Sequence, residues 1–161
     1  MRNQMIIGAL ALLLSGCGSD SNSGDGGVEV DPSVTLDQAT SIVLTVDAAE
    51  RDSLTLKFRL ADEEGVAITD AGHNLEIVYL EFPGDYDSSF SIPWHRAQQY
   101  LCGDNGSGCA GELKELQPGS YKFTPSIEPE PDQWLPYLKF IIRVNGALAS
   151  NPPQLFDFDD Q

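Results

Sequence analysis

Three cysteines and two histidines are the residues of this 161-residue chain whose types suit thiol, metal or nucleophilic chemistry. Cys17 closes the tetrad Leu14-Ser15-Gly16-Cys17, where small residues stand directly before a cysteine at the end of the apolar run Ile6 to Leu14. That is the arrangement lipid attachment requires after a secretory signal, with Arg2 as its positive start. Cys17 is therefore expected to become the lipidated first residue, and its acyl chains to hold the protein on a membrane. The competing reading is an ordinary signal cut that leaves Cys17 as a free thiol. The run is too short to span a bilayer, which needs ~20 apolar residues.

Cys102 and Cys109 bracket Gly103-Asp104-Asn105-Gly106-Ser107-Gly108. In an exported, oxidising setting, two cysteines across a flexible loop read as a disulfide. Closing so short a loop stabilises a fold by about 2.5 kcal/mol in the chain-entropy treatment. Redox and metal roles are the alternatives, but the spacing is not C-x-x-C and no third ligand lies nearby. C-x-x-C-H, which covalent haem needs, does not occur. His95 lies near Asp87, Ser88, Ser89 and Ser91, yet no G-x-S-x-G accompanies them, so it reads as structural. His73, between Gly72 and Asn74, reads as a turn residue. Carboxylates recur at Asp85 and Asp87, Glu128 to Asp132, and Asp157 to Asp160. Calcium needs six to eight oxygens, and a solvated acidic rim is the simpler reading. Asp20, Asn22 and Asp25 begin like a calcium loop, but Gly24 and Asp31 break the pattern. No catalytic residue, cofactor or metal site is assigned, and the chain is expected not to be an enzyme.

The elements that carry these residues follow from composition and period. Gly18 to Asp31 is Gly, Ser, Asp and Asn with little to bury, and reads as a tether. The chain divides into a signal peptide at 1–16, a lipidated cysteine and flexible linker at 17–40, and a single domain at 41–161. The net charge is −16. Removing residues 1–16 takes away Arg2 and no acid, so the remainder carries −17. Such a charge argues against nucleic-acid binding. Gly18 rather than Asp after the cysteine favours the outer membrane over retention in the inner one.

Ile42 to Val46 is a β-branched run. Leu54, Leu56, Phe58 and Leu60 alternate with Thr55, Lys57 and Arg59, a period of two with one inward face. Asp62-Glu63-Glu64-Gly65 is a turn, and Val66 to Thr69 and Leu75 to Phe82 continue as strands. Trp94 to Leu101 is expected to form two helical turns, with Trp94, Ala97 and Leu101 on one side. Pro118-Gly119 turns into a strand with Tyr121 and Phe123 inward. Leu138, Phe140, Ile142 and Val144 form the second clear alternating strand, and Phe156-Asp157-Phe158 a terminal edge. About seven short strands with little helix predict an all-β protein, either an immunoglobulin-like antiparallel β-sandwich or a Greek-key split barrel. Tyr86, Phe90, Trp94 and Tyr100 in the irregular stretch are candidates for an aromatic binding surface.

In their order, the tetrad at Cys17, the Gly/Ser/Asp tether, Asn74-Leu75-Glu76-Ile77, Trp94, Gly119-Ser120-Tyr121-Lys122-Phe123 and Phe156-Asp157-Phe158-Asp159 resemble one family. It is the amino-terminal β-domain of OmcA/MtrC-type decahaem outer-membrane cytochromes. The resemblance spans about residues 40 to 161 and implies a haem-free domain that packs beside electron-carrying ones. This chain ends near where the first haem-bearing segment would begin, so the resemblance implies a scaffold or docking role and no redox residue. The implied partner is a multihaem cytochrome or another exported protein, at the outer membrane. Two other readings are a generic immunoglobulin-like adhesion or carbohydrate-binding lipoprotein, and a truncated cytochrome.

Overall fold

A computed structural model describes residues 32–82, 96–103, 109–126 and 137–158. The fold is all-β, with ten strands among the described residues: β1 (Ser33–Thr35), β2 (Val43–Glu50), β3 (Thr55–Ala61), β4 (Ala67–Thr69), β5 (Asn74–Phe82), β6 (Arg96–Gly103), β7 (Gly111–Gln117), β8 (Ser120–Pro125), β9 (Tyr137–Val144) and β10 (Leu155–Asp157). Two single 3-10 turns, Leu36–Gln38 and Ala71–His73, complete it.

The strands form two sheets. The first runs β2-β3-β8-β7, all antiparallel neighbours, and forks beyond β8, where the far end of β3 meets β4 at Ala61↔Ala67. β4 in turn pairs in parallel with β1. The second runs β10-β9-β5-β6, antiparallel throughout. With β2 as strand A, this is the A-B-E-D and G-F-C-C′ order of immunoglobulin-like sandwiches, reached by alternating hairpins between sheets.

Period-two burial packs the sheets together. Leu56, Phe58 and Leu60 of β3, Tyr121 and Phe123 of β8, Leu75, Ile77 and Tyr79 of β5, and Leu138, Phe140, Ile142 and Val144 of β9 are buried in one cluster. Each such side chain contributes ~1.5–3 kcal/mol of transfer free energy. Aromatic rings bridge the layers at Tyr100, which meets Phe123 of the other sheet at 5.6 Å and, within its own sheet, Tyr79 edge-on at 5.7 Å. Two of the buried phenols are satisfied by backbone, while the buried Tyr100 hydroxyl has no partner among the described residues. Tyr79 donates to the Leu54 carbonyl at 2.6 Å and Tyr121 to that of Ile68 at 2.8 Å. Asn151 closes the end of β9, accepting from Val144 N at 2.7 Å and donating to Ile142 O at 2.9 Å.

Gly119 makes the fork possible. Its φ is +73°, and a Cβ there would lie 2.7 Å from the Leu60 carbonyl and 3.0 Å from Ala67 Cβ. Only glycine fits both the conformation and the gap.

Three sequence expectations change. The linker does not extend to residue 40, because β1 begins at Ser33 and Leu36 is fully buried. A three-residue strand followed by one anchoring leucine leaves no periodic signal. Ten strands replace about seven: the additions are β1, with three residues, β6, and β7, whose mostly exposed side chains give no apolar alternation. The segment expected as helical turns is β6 from Arg96 onward, registered along β5 from Glu81↔Arg96 to Asn74↔Gly103. Its buried residues are Tyr100 and Cys102, two apart, while Leu101 faces outward.

Candidate docking surfaces

Cys102 and Cys109 are joined in a disulfide. It ties the end of β6, in the second sheet, to the segment leading into β7, in the first. Ala110 N donates to Leu101 O at 3.4 Å across the same corner, and Ser126 Oγ donates to Ala110 O at 2.6 Å. Cys102 is buried, so the bond acts as a brace between the layers.

Tyr100 is not part of an aromatic surface. It is 3% exposed and packed between Tyr79 and Phe123, because its position in β6 shares the inward parity of Cys102. Burial pushes the Tyr79 phenol up, with Tyr100 adding to it, and burial raises Tyr121 and Tyr100 as well. Tyr86, Phe90, Trp94 and His95 lie outside the described residues, as does Cys17. His73 stands in the second 3-10 turn, 3.5 Å from Asp37 and 3.9 Å from Asp70. Among the described residues no group of three His, Cys, Asp or Glu side chains is placed to hold a metal ion. No helix among them is long and apolar enough to cross a membrane.

The two outer faces therefore hold the surface chemistry. On the first sheet, Asp47 takes a two-pronged contact from Arg59 at 2.9 and 3.0 Å, Glu50 meets Lys57 at 3.5 Å and Glu112 meets Lys114 at 2.8 Å. The second sheet differs. Since Leu75, Ile77 and Tyr79 point inward, Glu76, Val78, Leu80 and Phe82 of β5 point out. Register sets Leu155, Ile141, Val78 and Gln99 side by side across β10, β9, β5 and β6. Leu101 and Tyr137, 55% and 46% exposed, and Leu155, 43% exposed, widen this patch. Of its charges, Lys139 meets Asp157 at 2.7 Å, and Glu76, in register with Arg143, accepts from the Gln99 amide. Glu81, on the inner side near the strand end, is buried and paired with Arg96. Residues of four separated segments build this patch, so no local stretch announced it.

No protein-family model matches the chain, and no curated protein matches it. In structure it is similar to the outer membrane decahaem cytochrome OmcA, with a TM-score of 0.47 and 12% identity over 76% of this chain and 23% of that one. It is likewise similar to MtrC from Shewanella baltica OS185, with a TM-score of 0.48 and 12% identity over 71% of this chain and 21% of that one. The chain thus spans less than a quarter of the length of either cytochrome it is similar to.

Proposed function

We propose that this protein is a non-catalytic, lipid-anchored outer-membrane module that docks another exported protein, most simply a multihaem cytochrome. The apolar outer face of the second sheet carries this reading. Contiguous exposed apolar area on an exported domain marks an interaction site, and Lys139, already paired with Asp157, can be covered there without stranding its charge. β5 and β9 are apolar on both sides at Val78 and Ile141, a pattern of strands covered twice. Cys17 would supply the anchor. The haem-bearing character of the partner rests on the ordered motifs that resemble the haem-free cytochrome domain. The chain itself offers no C-x-x-C-H, so no electron passes through it in this account.

The test is a mild crosslink in living cells, then capture through a tag after Gln161 and a visible spectrum of the eluate. Haem absorbance from a co-captured partner, absent from the purified chain alone, is the expected result. A colourless eluate holding this chain alone would overturn the reading.

A further inference from the structure

The outer face of the first sheet holds an arrangement that its ion pairs do not account for. Register places Lys57 of β3, Lys122 of β8 and Lys114 of β7 directly abreast. All three point outward, because Phe58, Tyr121 and Phe123 beside them are buried. Opposite positions on neighbouring strands lie ~5 Å apart, and like charges so placed are destabilising. Lys57 and Lys114, at the ends of the row, have Glu50 and Glu112 as partners. Lys122, in the middle, has no acidic partner among the described residues. With Arg59, two residues along β3, this face gathers four of the nine Lys and Arg of a chain whose charge is −16.

A second feature adjoins the row. Where the sheet forks, a shallow cavity of about 160 Å³ opens on the same face, lined by Val43, Thr45, Arg59, Ala61, Ala67 and Pro118 among others. Its walls are mostly aliphatic, and it has room for one branched aliphatic side chain. Arg59 belongs to both features: it edges the cavity and stands ~7 Å along the strand from Lys57.

We infer that this face binds an extended acidic segment of a partner polypeptide, seating an aliphatic side chain in the cavity and laying carboxylates over Lys122 and its two neighbours. A bare anion would satisfy the row and leave the cavity unused. An apolar segment would fill the cavity and leave the lysines facing each other. This site is on the opposite side of the sandwich from the apolar face, and it stands or falls separately from the docking proposed there.

The probe is a fluorescein-labelled peptide of alternating aspartate and glutamate ending in one leucine, titrated into the full chain at about 150 mM salt, where the Debye length of ~8 Å removes most of the long-range repulsion. Saturable binding is expected, weakened about tenfold by Lys122→Glu and several-fold when glycine replaces the leucine. Amine acetylation of the unaltered chain is a second readout that needs no variant: the peptide should protect Lys122 more than Lys139. Absence of saturable binding, binding indifferent to Lys122→Glu with no protection of Lys122, or equal binding of inorganic tripolyphosphate and both peptides would overturn the proposal, the last by reducing the row to a simple anion site.

Discussion

The two sheets are alike inside and unlike outside. Both inner faces are aromatic and aliphatic, and they meet through Tyr79, Tyr100 and Phe123. Outside, β3 alternates strictly, so Lys57 and Arg59 meet water and exchange contacts with Glu50 and Asp47. β5 and β9 do not alternate strictly: Val78, Leu80 and Ile141 are apolar at outward positions. A strand needs one apolar side to hold a sandwich together, and the second apolar side is surplus to folding. The first face is therefore what solubility and local ionic contacts require, apart from its lysine row. The second is what an interface requires.

Perturbing each region sharpens this division. The largest loss of stability should come from the fork of the first sheet. Gly119→Ala forces a Cβ against the Leu60 carbonyl at positive φ and is expected to cost about 3 kcal/mol in urea unfolding. Next is the brace between the sheets: replacing Cys102 and Cys109 by serine should cost about 2.5 kcal/mol in the same assay. The shared interior responds to alkali. Tyr79 and Tyr121 have phenols raised by burial from 10.0, so their contribution is complete below pH 10 and is lost as pH rises towards their folded-state values. Ellipticity followed from pH 9 to 12 should show stability falling by roughly 1 kcal/mol per buried phenol at pH 11. The smallest effect belongs to the charged outer face. Asp47→Ala removes an exposed partner of Arg59 and should change stability by about 0.5 kcal/mol or less.

Legibility in the sequence followed the same division. Inner faces were readable because Leu54 to Leu60 and Leu138 to Val144 alternate over seven residues or more, and turns because Gly65 and Gly119 take the positive φ that their turns need. β6 misled because Trp94, Ala97 and Leu101 also fit helical spacing, while its true inward residues after Gln98 are Tyr100 and Cys102. Leu36 was hidden between polar neighbours. Neither outer surface was legible. Lys57, Lys114 and Lys122 become a row only through strand register, and Leu155, Ile141, Val78 and Leu101 become a patch only once four strands are ordered in one sheet.

The most direct test of the docking account places a photo-crosslinking amino acid at Leu101 or Leu155, on the apolar face, and at Asp52 in the β2–β3 turn as a control, in cells carrying the full chain. Positions 101 and 155 are outward facing, so these changes should leave stability within about 0.5 kcal/mol. The account predicts a covalent, haem-bearing adduct from positions 101 and 155 and none from 52. Adducts from 52 alone, or none from 101 and 155 while the chain is folded and present at the membrane, would contradict it.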